Sequence, residues 1–142
     1  MIDKIDKEII EILQKNALYR SDAIAQQLNL GSSTVRRRLK KLLDSETIRF
    51  VAVPNWEKVG LPVVALIALD VDPHKIRSVS RKLSEYDNCK WLAVTSGRFS
   101  VMSIWQFPST EALYTHIEIE IGKLEGVIKS ETFIGLHLEK FL

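Results

Sequence analysis

Residues 21–44 read SDAIAQQLNLGSSTVRRRLKKLLD, and the spacing of their apolar positions decides the first half of the fold. Ile24, Ala25 and Leu28 fall on one face of a short helix, for which Ser21 is a suitable N-cap. Asn29-Leu30-Gly31 interrupts the pattern. A second helix is predicted from Ser32 to Asp44, with Val35, Leu39, Leu42 and Leu43 clustered on one side at about 100° per residue. Arg37 then points almost directly away from that side. Lys40 and Lys41 flank it, as do Ser33 and Thr34 one turn earlier. Two short helices joined by a tight, glycine-containing turn, the second with an outward basic face, predict a helix-turn-helix unit.

Upstream, Ile5, Ile9, Ile12 and Leu13 form one stripe of a helix over residues 3–16, with Asp3 as cap and Asp6 in its first turn. Downstream, Ile48, Phe50, Ala52 and Pro54 alternate with Arg49, Val51 and Val53, which predicts a strand ending at Pro54. The first domain is therefore expected over residues 1–54, a winged three-helix unit. Residues 55–62 are a linker with a turn at Gly60-Leu61-Pro62.

Beyond the linker, strand and helix signals alternate. Val63–Asp70 predicts a strand and Asp72-Pro73 a helix start, with Ile76, Val79 and Leu83 facing inward. Trp91–Thr95 and Phe99–Phe107 predict strands joined through Ser96-Gly97-Arg98. Ser109 opens a helix carrying Leu113, Ile117, Ile121 and Leu124, and Val127–Leu136 is the last strand. The order β-α-β-β-α-β is the ferredoxin-like split unit, expected over residues 63–142, so the fold class is α+β.

Two helices cover one face of such a sheet. Yet Val64, Leu66 and Ala68 on one face of the first strand are as apolar as Val63, Ala65, Ile67 and Leu69 on the other. In the third strand Met102 and Ile104 likewise oppose Val101 and Trp105. Something must cover the second face, and a second copy of the chain is the economical cover. A homodimer at least is expected.

Charge assigns the other partner. Residues 1–60 carry 11 basic against 8 acidic residues, residues 61–142 carry 9 against 10, and five of the six residues Arg36–Lys41 are basic. A polyanion would meet the first half, and a helix-turn-helix makes that polyanion double-stranded DNA. Ser32, Ser33, Arg36 and Arg37, near the start of the helix, are candidates for base edges, since Arg bonds guanine bidentately. Lys40, Lys41 and Arg49 are better placed for phosphates, and Thr34 borders the same face. A basic run on an isolated helix is most often solvated; the preceding helix, turn and Ser-Ser-Thr opening favour DNA here. Arg38, at the edge of the apolar side, is as well suited to a structural ion pair.

No catalytic or metal-ligating set emerges, and no cofactor is expected. His74, His116 and His137 are widely spaced, which favours surface or packing roles. Cys89 is the lone cysteine, expected as a small buried hydrophobe. Trp91, Phe99 and Trp105 are more often core or interface than a ligand cage. The charged opening Met1-Ile2-Asp3-Lys4 is unlike a secretory signal. The apolar run Leu61–Leu69 is far short of the ~20 residues of a membrane helix, so a cytoplasmic chain without membrane contact is expected.

The ordered set of motifs resembles the Lrp/AsnC, or feast/famine, family of prokaryotic transcriptional regulators. Residues 2–13 resemble its opening helix, and Ile24–Leu30 with Ser33–Leu39 its helix-turn-helix. Val94-Thr95-Ser96-Gly97-Arg98-Phe99 resembles its glycine hairpin, and residues 125–132 its final-strand motif. The resemblance implies a C-terminal domain of the RAM type, and dimers that often assemble four at a time into octamers on pseudo-palindromic DNA. It also implies an amino acid or similar small molecule bound between dimers. Carried over by position, that effector site would comprise Thr95, Gly97, Arg98, Phe99 and Ser100, with Ser130 and Thr132 from the last strand.

Three positions depart from the family pattern. Ser100 stands where an acidic residue is common, so a partner for an effector's ammonium group is missing there. Gly31 replaces a frequent serine cap, and Glu46 stands where glycine usually ends the recognition helix, so that end is expected to be built differently. Two other readings stay open: an architectural DNA-binding protein that ignores effectors, and a haem-pathway decarboxylase-like enzyme on the same scaffold. The latter would need His and basic residues converging on a tetrapyrrole pocket.

Overall fold

The computed structural model describes residues 1–140. It divides into two compact units between Ala52 and Val53. Phe141 and Leu142, the end of the expected 63–142 domain, lie outside the described residues.

The first unit consists of α1 (Lys4–Lys15), α2 (Ser21–Leu28) and α3 (Ser32–Asp44). At the start of α1 the Asp3 carboxylate accepts from the Asp6 N–H and the Asp6 carboxylate accepts from the Asp3 N–H. This capping box satisfies two otherwise orphaned donors. Arg38 crosses from α3 to the same two carboxylates, 2.7 Å from Asp3 and 2.8 Å from Asp6. Its place is therefore structural. The Asp6 backbone N–H first, and Arg38 next, hold the Asp3 carboxyl below its ordinary pKa. Ile9, Leu13, Ile24, Ala25, Val35 and Leu42 form the core.

Three local expectations are corrected. Ser21 is the first residue of α2 rather than its cap; Arg20 stands at the N-cap with no side-chain bond. The α2–α3 turn is made by Asn29 in the left-handed region (φ 53°), whose short polar side chain tolerates it, while Gly31 is the extended N-cap of α3. The end of α3 is not built differently from a glycine-ended helix. Glu46 takes the left-handed conformation (φ 54°), its N–H bonds the Leu43 carbonyl and the Thr47 N–H bonds the Leu42 carbonyl. That is a Schellman turn, which costs a residue with a Cβ roughly 1–2 kcal/mol.

The strand expected over 48–54 is absent among the described residues. Ile48 packs on the helical core, but residues 49–54 have no regular secondary structure and no strand beside them among the described residues, leaving Phe50 49% and Val51 66% exposed. The residue alternation is that of a strand, but a strand needs a partner for its N–H and C=O groups.

The second unit is a four-stranded antiparallel sheet in the order β2-β3-β1-β4, from β1 (Val63–Val71), β2 (Cys89–Val94), β3 (Val101–Phe107) and β4 (Val127–Ile134). Helices α4 (Ile76–Ser84) and α5 (Thr110–Thr115) complete the ferredoxin-like order. α4 begins later than Asp72-Pro73 suggested. The Asp72 carboxylate accepts from the His74 N–H and its carbonyl from the Lys75 N–H, so this pair makes a turn first. Ser109 caps α5 as expected, accepting from the Ala112 N–H. The expected single long helix instead passes into a π-helical stretch, His116–Ile121, where the Gly122 N–H bonds the Ile117 carbonyl.

Ala65, Ile67, Leu69, Val71, Val101, Trp105 and Phe107 face the helices, whose Val79, Leu83, Leu113 and Ile121, with Leu124 just beyond them, close the core. His116 is buried there, its ring centroid 4.5 Å from that of Trp105 and 5.3 Å from those of Phe107 and Tyr86. Burial pushes its pKa below the ordinary 6.5, against the opposing pull of Glu120. The unfolded chain thus takes up this proton more readily than the folded one, and stability is lost as pH falls below about 6.5. The melting temperature is expected to drop between pH 7.5 and 5, and to drop less steeply in His116→Leu. Parallel slopes would remove His116 as the source.

Candidate nucleic-acid interface and effector loop

The apolar seam of Val35, Leu39 and Leu42 seats α3 against α1 and α2 and turns its opposite side to solvent. No side chain caps α3, so its first turn presents backbone N–H groups and the positive end of the helix dipole beside Ser32, Ser33 and Thr34. Arg36, Arg37, Lys40 and Lys41 line that side; Arg36, Arg37 and Lys41 are exposed, and the Lys40 side chain is 76% exposed. Arg36 stands 3.8 Å from Asp22 of α2, and Lys40 2.5 Å from Asp44 one turn on. Such exposed pairs are worth ~0–1 kcal/mol and yield readily to a phosphate. Arg37 and Lys41 have no carboxylate partner among the described residues. Arg49 has none among them either, but it lies beyond α3, in the segment without regular secondary structure. The Lys40–Asp44 pair was legible from its i, i+4 spacing; the Arg36–Asp22 pair depends on how two helices cross.

In the second unit Thr95–Ser100 forms the loop between β2 and β3. The Thr95 N–H bonds the Ser100 carbonyl at 2.9 Å, and the Thr95 hydroxyl donates to the Phe99 carbonyl at 2.6 Å. Ser100 is bound into β1: its N–H donates to the Leu69 carbonyl, and its hydroxyl exchanges 3.3 Å bonds with the Val71 N–H and C=O. Arg98 lies 4.8 Å from the centroid of Phe99 and pairs with Glu131 of β4 at 2.8 Å. Glu131 also pairs with Lys129 at 3.1 Å. Gly97 has no positive φ, and a Cβ built on it would meet nothing within 4 Å.

The loop residues are thus brought together, but β4 contributes a residue that sequence reasoning passed over. Ser130 and Thr132 register with Leu69 and Ile67, on the helix-covered side. Glu131 registers with Ala68, on the other side, where Arg98 reaches it. The period of two along β4 separates Glu131 from its neighbours, but only the loop's path shows which side meets Arg98.

That other side of the sheet carries Leu66, Ala68, Trp91, Ala93, Met102, Ile104 and Phe133, as the registers require. No helix covers it. Trp91 is 49% and Phe133 53% exposed. His74 and His137 are exposed, far in sequence from buried His116, and Cys89 is half-buried with its thiol pKa pushed up by burial. No helix among the described residues is long and apolar enough to cross a membrane.

Residues 2–49 match the winged helix-turn-helix DNA-binding family, and residues 64–140 match the Lrp/AsnC ligand binding domain. An uncharacterised HTH-type transcriptional regulator of Pyrococcus furiosus is 35% identical over 142 residues, covering 99% of this chain and 96% of that protein. The HTH-type transcriptional regulator LrpA of Pyrococcus horikoshii is 34% identical over 134 residues, covering 91% and 92%. Among solved structures, Escherichia coli AsnC superposes with a TM-score of 0.86 at 22% identity, over 100% of this chain and 97% of that one. A Neisseria meningitidis transcriptional regulator in complex with L-Met superposes with a TM-score of 0.88 at 20% identity, over 99% and 94%.

Proposed function

The chain belongs to the Lrp/AsnC family of DNA-binding transcriptional regulators, and from that premise we propose that it acts on duplex DNA as a homodimer tuned by a small molecule. Residues 1–54 bind DNA, residues 55–62 connect, and residues 63–142 assemble the chain and hold the effector. The observation that carries this reading is the outward side of α3, where Arg37 and Lys41 stand without a carboxylate partner among the described residues. Ser32, Ser33, Arg36 and Arg37 meet base edges. Thr34, Lys40, Lys41 and Arg49 meet the backbone.

Two features support pairing. The open sheet face presents Leu66, Met102, Ile104 and Phe133 as a contiguous apolar surface, suited to the same face of a second copy. The segment after Ile48, which pairs with no strand among the described residues, has the residue alternation of a strand and is suited to a partner strand. A dimer addresses half-sites about one DNA turn, ~34 Å, or a multiple apart. Four dimers in an octamer would add avidity along DNA.

The effector lies at Thr95, Gly97, Arg98, Phe99 and Ser100, on the side of the sheet that Glu131 faces, while Ser130 and Thr132 are turned to the opposite, helix-covered side. Nothing among the described residues requires glycine at 97, which fits a position kept small for a ligand that approaches from outside. Glu131, already bound by Arg98 and Lys129, is the carboxylate nearest to hand for an ammonium group, since Ser100 offers none. No catalytic step is assigned, because His116 is enclosed by aromatic rings rather than opened to a substrate.

Sedimentation velocity with each amino acid in turn, beginning with L-methionine, tests the effector. At least one is expected to shift the assembly, because a ligand favouring one form draws the equilibrium towards it. A panel that moves neither sedimentation nor DNA affinity would favour the architectural reading, in which DNA is bound without an effector.

A further inference from the structure

The arginines that have no carboxylate partner among the described residues fall in two places. Arg20, Arg37 and Arg49 belong to the helix-turn-helix unit. Arg77 and Arg81 belong to α4, in the half of the chain whose net charge is negative. Arg77 and Arg81 are one turn apart, about 6 Å along the axis, and both are exposed. With His74, Ser78, Lys82 and Glu85 they line one shallow surface groove. We propose that this face of α4 is a second phosphate-binding surface for the DNA backbone, outside the helix-turn-helix.

A solvated basic face is the ordinary alternative, and local chemistry argues against it. Arg98, the other arginine of this unit, is paired with Glu131, as is Lys129, and Lys75 is paired with Glu125. Lys58, Lys90, Lys123 and Lys140 have no carboxylate partner among the described residues either, but they are scattered along the chain, whereas Arg77, Arg81 and Lys82 cluster on one helix face. An acidic face on another copy is the competing occupant. The neighbouring α5 and π-helical stretch do carry Glu111, Glu118 and Glu120, but two of these are engaged. Glu120 accepts the Tyr86 hydroxyl at 2.5 Å, and hydrogen bonds from its own backbone and Ser109 hold the Glu111 pKa down. DNA, with one charge per ~1.7 Å of duplex, is the better match for unpaired guanidinium groups. Such a contact adds affinity and carries no base information.

The inference rests on DNA binding by the first unit, and the test separates the two. Binding of wild type and of Arg77→Ala/Arg81→Ala/Lys82→Ala to a long duplex containing the operator is measured across salt. The slope of log K against log salt is expected to become shallower by ~0.9 for each phosphate no longer neutralised, with sequence preference unchanged. Arg77→Lys/Arg81→Lys is expected to keep the wild-type slope, because a phosphate asks for charge. An unchanged slope in the triple variant overturns the inference. So does a change in sedimenting mass without DNA, which would make this face a contact between copies. Failure of the wild type to bind DNA at all would instead overturn the function proposed above.

Discussion

Leu66→Glu is expected to leave the chain monomeric and to weaken its binding to a two-half-site operator by ~10²–10⁴-fold, the avidity that linked sites supply. Leu66 lies mid-strand on the uncovered face, with Ile104 on one side of it and Phe133 on the other. It is half-buried, so in a lone subunit the carboxylate can still reach water. Pressed against a second sheet it cannot, and an unpaired buried charge costs several kcal/mol. The circular dichroism spectrum should be retained and the sedimenting mass should halve at least. Leu66→Met, which keeps volume and polarity, should assemble as wild type does. A glutamate variant of unchanged mass would mean that this face is not the seam.

Arg37→Ala is expected to cost ~1–3 kcal/mol for each copy bound and to relax preference at one operator position, if the guanidinium bonds a guanine edge. In a dimer with two equivalent half-sites the losses add. Lys41→Ala should weaken all sequences alike and make the salt dependence shallower by about one phosphate, ~0.9 in slope. The contrast matters more than either number. Equal losses on operator and random DNA for Arg37→Ala would remove it from base reading, while a wild-type salt slope for Lys41→Ala would remove that lysine from the backbone. Neither substitution should disturb folding, since both side chains are exposed and neither holds another element in place. Arg38→Ala should, because Arg38 ties α3 to the two carboxylates that cap α1.

The elements that sequence located well are those whose signal is local. The span of α3 follows from the period of Val35, Leu39 and Leu42, and the caps at Asp3 and Ser109 from one carboxylate or hydroxyl next to an apolar run. The alternation in β1 correctly separated Ile67 and Leu69, which face the helices, from Leu66 and Ala68, which do not. Where propensity alone was used, context changed the result. Asp72-Pro73 has the composition of a helix start, yet the aspartate accepts from the His74 and Lys75 N–H groups and delays the helix. Residues 48–54 have the alternation of a strand, but no second strand lies beside them among the described residues.

By itself the sequence determined which faces are apolar, which helix carries the cations, and the order of strands and helices, because these depend on spacing along one chain. Tertiary structure decided which charges are spent inside the protein and which remain for a partner. Arg38 and Arg37 are adjacent and chemically identical, but the 100° turn of the helix between them brings one to Asp3 and Asp6 and leaves the other in solvent. Glu131 meets Arg98 across 33 residues for the same reason: an ion pair is fixed by distance in space, and distance in space is set by packing.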